Sequence, residues 1–213
     1  MAASKLMSIA IIVISLAVGF IFYYILSDLS KEQKKRHMEE MFSQLINFIV
    51  FMWIGKIILN FNVFINDPIA ILAYPSNSEA FYLAVLFSAI MLNYKAKRKP
   101  MDMLVFIRSF LLVFLVASFM YEFIQLVWNN NTYSFGYLFL LIIMLVVFFL
   151  SGRITTTMLI VTMLIGWCVG MVLLSFVYPF ATVFGYIIAP WFVGVFFITS
   201  ICLITFNTRK RVS

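Results

Sequence analysis

Residues 7–27 read MSIAIIVISLAVGFIFYYILS, a run with no charged side chain. A helix of roughly 20 apolar residues crosses a bilayer core of about 30 Å. The run is longer than the apolar core of a signal peptide, which has about 7–15 residues, and no small-residue A-x-A pattern follows it. We therefore expect a retained transmembrane helix here.

The rest of the chain has the same character. Of its 213 residues, 65% are hydrophobic and 11% are charged, with a mean hydropathy of +1.10. An average soluble domain carries about a quarter charged residues, so the composition excludes a water-soluble globule. The net charge of +7 comes from short basic clusters between apolar runs, which indicates membrane topology and argues against nucleic acid as a partner. Cys168 and Cys202 lie inside apolar runs, so neither a disulfide framework nor a metal site is expected.

Seven stretches are long and apolar enough to span a membrane. Because lipid offers the backbone no hydrogen-bond partners, and because the runs lack the alternation of barrel strands, each is predicted to be helical. The chain shows no internal repeat, so we predict one membrane domain over residues 1–213, an all-α polytopic bundle of about seven helices. The predicted spans are residues 7–27, 42–61, 79–95, 103–128, 133–151, 154–178 and 184–206.

The basic residues predict the orientation of these spans, because cytoplasmic loops carry the excess of Lys and Arg. The clusters follow the first, third, fifth and seventh spans, which are alternate loops on one side; the opposite loops contain neither residue type. This places the N-terminus outside and the C-terminus inside, with Lys5 as the one exception. The wealth of Phe, Ile, Met, Lys and Asn favours a bacterial plasma membrane. The cytoplasmic residues are Lys31, Lys34, Lys35, Arg36, Lys95, Lys97, Arg98, Lys99, Arg153, Arg209, Lys210 and Arg211.

Two charged residues near the outer ends of spans are the candidates for function. Lys56 is four residues from the end of the second span, where it can also simply extend to the headgroups. Glu122 lies in the fourth span beside Tyr121 and Gln125, and a carboxylate is too short to extend far. We hypothesise that Lys56 and Glu122 pair across helices, which would offset part of the desolvation of each.

The remaining polar signals are weaker. Asp67 and Pro68 predict the start of a short helix along the outer interface, with Asp67 as N-cap. His37 lies in the basic stretch from Lys34 and is expected in a solvated cytoplasmic loop. No Ser-His-Asp, metal or phosphate-loop arrangement can be assembled, so catalytic residues stay unknown and no cofactor is expected.

The layout resembles the prolipoprotein diacylglyceryl transferase family, bacterial enzymes that move a diacylglyceryl group from phosphatidylglycerol onto a lipoprotein cysteine. The resemblance spans most of the chain and includes the outward N-terminus, the basic loop after the first span and Gly55-Lys56. Residues 77–84, NSEAFYLA, are similar to the family's G-G-x-S-F-H-G-G stretch, and residues 122–125, EFIQ, to the end of its G-R-x-G-N-F-x-N signature. Asn66-Asp67-Pro68 and Met101-Asp102 are also similar to family segments.

The chain departs from the family at the residues that do the chemistry. Tyr82 stands at the histidine position and Phe119 at the arginine position of the signature, and the last two predicted spans contain no arginine. The resemblance implies that such arginines hold the anionic lipid headgroup, which Phe cannot do.

Three functions follow as hypotheses. The first is a divergent transferase-like protein that binds membrane lipid, such as an anionic phospholipid, or a lipoprotein, and lacks the usual transfer chemistry. Its ligand-binding candidates are Lys56, Tyr82, Tyr121, Glu122 and Gln125. The second is a non-enzymatic subunit of a transporter or assembly, bound to another membrane protein, for which Gly166 and Gly170 offer a G-x-x-x-G contact. The third is an active lipoprotein-modifying transferase with an altered site.

Overall fold

The structure is a computed structural model that describes residues 2–73, 76–98, 102–151 and 154–209. It is helical apart from one short hairpin. The elements, in chain order, are α1 (Ala2–Leu26), α2 (Lys31–Leu59), α3 (Phe61–Asn66), α4 (Ala70–Ala73), α5 (Ser78–Arg98), α6 (Met103–Trp128), α7 (Ser134–Leu150), α8 (Thr156–Val177), β1 (Thr182–Val183), β2 (Tyr186–Ile187) and α9 (Pro190–Arg209).

The chain forms two compact units. The helical-hairpin unit, as we call it, comprises Asp28–Phe106, and the second unit, here the bundle unit, comprises Met1–Ser27 with Ile107–Ser213. Each is described by itself below. The predicted single membrane domain stays a prediction.

The helical-hairpin unit is organised by α2 and α5. A capping box begins α2, in which the Ser30 hydroxyl accepts from the Gln33 amide at 3.3 Å and the Gln33 side chain accepts from the Ser30 amide at 3.2 Å. This cap starts the helix well before the predicted span, and its 29 residues are roughly 43 Å long. The two helices approach closely at Gly55, where a β-carbon would lie 3.1 Å from the Ala80 carbonyl oxygen.

The bundle unit contains two close helix contacts. A β-carbon on Gly19 of α1 would lie 2.7 Å from the Val113 carbonyl oxygen of α6. Gly166 and Gly170 of α8 both face α7, where Met144 and Leu140 are their nearest neighbours. The G-x-x-x-G pattern is therefore used for packing inside the chain.

Four helices are long and apolar enough to cross a membrane: residues 6–26 of α1, then α2, α6 and α8. Helix α7 and residues 190–202 of α9 are apolar but shorter, and α5, the predicted third span, does not meet the criterion within the described residues. Large apolar side chains are exposed along these helices, for example Ile14, Ile49 and Phe176, as hydrocarbon solvation requires. These observations support a membrane protein, whereas seven spans and their orientation stay a prediction. Of the basic residues, Lys99, Arg153, Lys210 and Arg211 lie outside the described part of the chain.

The predicted seventh span, residues 184–206, starts too early. Thr182 pairs with Ile187 and Val183 with Tyr186 in an antiparallel hairpin, and α9 begins only at Pro190. Phe184 and Gly185 form the turn with φ angles of 50° and 83°, the positive values that a two-residue hairpin turn needs. The apolar run hid this turn, because hydropathy does not distinguish a buried hairpin from a helix.

Candidate functional site

The five predicted site residues fall in different units. Lys56 and Tyr82 belong to the helical-hairpin unit, and Tyr121, Glu122 and Gln125 to the bundle unit. The hypothesis that Lys56 pairs with Glu122 therefore stays a prediction.

Lys56 lines a cavity of about 250 Å³ in the helical-hairpin unit. Of the described residues around it, only Lys56 carries a charge; the other walls are apolar. They come from α2, from α3, from the turn into α4 and from α4 itself: Trp53, Ile57, Phe64, Pro68, Ile69 and Ile71. An apolar cavity with a single cation suits a ligand that has an acyl chain and an anionic group.

Asp67 shapes the turn that carries the lining residues Pro68 and Ile69. Its carboxylate accepts hydrogen bonds from the amides of Ile69 at 3.0 Å and Ala70 at 3.1 Å. A short helix does follow Asp67, but α4 begins at Ala70, so the predicted start at Pro68 is wrong; the Asp67 carboxylate closes the turn between α3 and α4. Ile65 and Ile69 are exposed on this segment, so it presents apolar side chains outward, as expected of an interfacial segment.

Tyr82 lies on α5 and is buried, with its ring against Phe81 in an edge-to-face contact at 6.4 Å. It is not among the described residues that line the cavity. The structure thus places Tyr82 in the packing of α5.

Glu122 lies on α6 and its residue is only 1% exposed. Neither carboxylate oxygen has a hydrogen-bond partner among the described residues. The Ser134 hydroxyl, at the start of α7, is close enough to act on the carboxylate but lacks hydrogen-bond geometry. A buried acid with no partner is costly, so this position needs an explanation in function or in ligand binding.

The side chains of Tyr121 and Gln125 interact with each other near the end of α6, and each also has a further neighbour. Tyr121 packs on the hairpin turn, with its ring 5.4 Å from that of Phe184, and its hydroxyl lies beside Gly185. The Gln125 side chain accepts from the Asn129 amide group at 2.7 Å, at the end of α6. Both residues therefore have structural partners, and of the bundle-unit candidates Glu122 is the one whose polar atoms are unsatisfied.

His37 was expected in a solvated loop, and that expectation is wrong. It is buried within α2, and its ring meets Phe106 edge to face at 5.9 Å. Nearby, the Lys95 ammonium contacts the Glu40 carboxylate at 2.8 Å and donates to the Ser43 hydroxyl at 2.9 Å. The i to i+3 spacing of His37, Glu40 and Ser43 was the available signal that they share one face of a helix.

No family model, no curated protein and no solved structure matches the chain. The candidate site is consequently defined by its own geometry.

Proposed function

We propose that this chain is a multi-pass protein of a bacterial plasma membrane that binds an anionic phospholipid through the cavity at Lys56. The observation that carries the proposal is the composition of the cavity wall, in which one cation is set among apolar side chains. Phosphatidylglycerol fits it by chemistry, because its phosphate pairs with an ammonium group and its acyl chains replace water on apolar walls.

The location of the cavity favours a lipid over a water-soluble ligand. It lies where α2 ends and the α3 and α4 segment begins, and this segment exposes Phe61, Ile65 and Ile69. Apolar side chains on such a segment bury themselves at the boundary between headgroups and acyl chains. In the predicted topology this is the outer leaflet, within reach of a lysine side chain.

The proposal includes descent from the diacylglyceryl transferase layout without its transfer chemistry. Tyr82 is buried against Phe81 in α5, and a phenol so placed is a packing group. Phe119 stacks on Phe123 with ring centres 6.2 Å apart, so an apolar pair occupies the stretch that resembles the arginine signature. We accordingly expect no rescue of lipoprotein modification when this chain is expressed in a transferase-deficient bacterium; rescue would revive the hypothesis of an active transferase.

The fluorescence of Trp53 tests lipid binding directly, since this side chain lines the cavity. In a chain with Trp128, Trp167 and Trp191 changed to Phe, phosphatidylglycerol with brominated acyl chains should quench Trp53 at lower mole fraction than brominated phosphatidylcholine. Lys56→Met should reduce this preference about five-fold, because one lysine near anionic lipid contributes roughly 1 kcal/mol.

Lys35→Met is the matched control for the charge. It removes one exposed lysine from the same helix, far from the cavity, and should leave the preference unchanged. Equal preference in the wild type and in Lys56→Met would contradict the proposal.

The second hypothesis, a non-enzymatic subunit, loses one supporting observation. The glycines that could have joined it to a partner, Gly166 and Gly170, pack against α7 of the same chain. We still propose a lipoprotein or another membrane protein as a partner of this chain.

A further inference from the structure

A second polar site lies in the bundle unit. Ser118 and Glu122 are one turn apart on α6, and Ser134 and Tyr137 are one turn apart on α7. All four are buried, at 1–3% exposure. We call these four residues the Glu122 cluster.

Most oxygens of the Glu122 cluster lack a hydrogen-bond partner among the described residues. Both carboxylate oxygens and the hydroxyl oxygens of Ser118 and Ser134 have no hydrogen-bond partner among the described residues. Buried polar groups are normally paired, and in a membrane no water replaces the missing partner. Ser134 acts on the Glu122 carboxylate, and Tyr137 interacts with both Ser118 and Glu122, so these oxygens are neighbours that can serve as ligands.

The wall behind these oxygens is held in place. The Trp167 indole of α8 donates to the Tyr137 hydroxyl oxygen at 3.1 Å, which fixes the phenol beside Ser118 and Glu122. The cluster lies on α6 and α7, and the Trp167 hydrogen bond ties it to α8.

Within the described residues of the bundle unit, no cationic side chain pairs with Glu122. Arg108 lies on the same helix four turns earlier, roughly 21 Å away along its axis. The side chain of Lys5 on α1 is not described. The other titratable groups that act on this region are the phenols of Tyr121, Tyr137 and Tyr186, and a phenol cannot supply a positive charge.

We infer that the Glu122 cluster binds a small monovalent cation, Na⁺, in competition with a proton. One carboxylate has a single negative charge, so a monovalent ion neutralises the site and a divalent ion leaves it charged. Carboxylate and hydroxyl oxygens are hard ligands, suited to an alkali cation and poor for a soft metal. When Na⁺ leaves, a proton on Glu122 restores neutrality.

Dicyclohexylcarbodiimide tests this inference, because it modifies carboxylic acids that are protonated in an apolar setting. The full-length protein in detergent micelles should be modified at Glu122 in choline chloride, as read by peptide mass spectrometry. NaCl should protect it, and KCl at the same concentration should protect it far less. The Na⁺ concentration for half protection should rise about ten-fold for each unit that the pH falls, since proton and ion compete for one carboxylate.

Variants separate the ion site from a merely buried acid. Ser118→Ala and Ser134→Ala should keep the modification but need about five-fold more Na⁺ for protection, the effect of one lost polar ligand. Glu122→Gln should abolish modification, whereas Glu79→Gln, which changes an exposed carboxylate, should not. Modification that is indifferent to Na⁺, or absent at every pH, overturns the inference; because the serine variants retain Glu122, this conclusion does not depend on Glu122→Gln folding.

Discussion

Phe184 and Gly185 show how single residues shape the bundle unit. Both have positive φ angles, which cost a side-chain-bearing residue roughly 1–2 kcal/mol, and Phe184 accepts this conformation while its ring packs against Tyr121 and Phe114. At Gly185, a β-carbon would lie 2.8 Å from the Tyr121 hydroxyl. The two-residue turn at Phe184 and Gly185 thus packs against Tyr121, which was predicted to be a ligand-binding residue.

Gly185→Ala is expected to destabilise the protein by about 1–2 kcal/mol, because alanine is strained at a positive φ angle and would also displace the Tyr121 hydroxyl. Thermal unfolding in detergent, followed by near-ultraviolet circular dichroism, measures the loss. The control is Gly194→Ala in α9, where a β-carbon meets nothing within 4 Å; it should be neutral or slightly stabilising. Equal effects of the two changes would refute this account of the turn.

At the scale of elements, α2 and α5 are joined at both ends of their contact by different means. Near Gly55 and Ala80 the backbones meet closely, while at the other end Lys95 reaches Glu40 and Ser43. The Gln44 amide also donates to Glu40 at 2.8 Å. Glu40 is therefore the shared acceptor of a small network that sets the register of the two helices.

A double-mutant cycle on Lys95→Met and Glu40→Gln should give a coupling free energy of about 0.5–3 kcal/mol, because both side chains are largely buried and in direct contact. The free energies of unfolding of the two single variants and the double variant provide it. Glu39→Gln, an exposed neighbour on α2, combined with Lys95→Met should show additive effects. Additive effects for Glu40 as well would mean that the contact does not stabilise the helix pair.

For the whole molecule, α5 is one of the helices on which the number of membrane crossings depends. Within the described residues four helices qualify as spans by length and hydropathy, and α5, whose final turns contain Asn93, Tyr94 and Lys95, does not. The basic clusters nevertheless predict that it crosses, because the charge alternation requires three spans between residues 35 and 132.

Cysteine labelling distinguishes these possibilities. In a chain with Cys168 and Cys202 changed to alanine, Thr132→Cys should react with an impermeant maleimide in intact cells, and Lys35→Cys only after permeabilisation. Both positions are exposed. If α5 does not cross, α2 and α6 alone separate the two positions, and both cysteines would react from the same side.

The sequence alone was sufficient for properties that depend on local composition. Hydropathy summed over about 20 residues predicts a membrane protein whatever the packing, and residues such as Asp67 cap a helix through their own neighbours. The capping box at Ser30 is also a local pattern, in which Ser30 is followed three residues later by Gln33. It marks the start of α2 at Lys31.

Only the tertiary structure decided which polar groups are buried and which of them have partners. His37 and Glu40 lie in a highly charged stretch, yet one is buried against Phe106 and the other against Lys95. The Glu122 carboxylate is buried without a hydrogen-bond partner among the described residues, because Ser134, from the next helix, approaches it without forming a hydrogen bond. Burial and pairing depend on residues far apart in the chain, and no local pattern of apolar and polar letters contains that information.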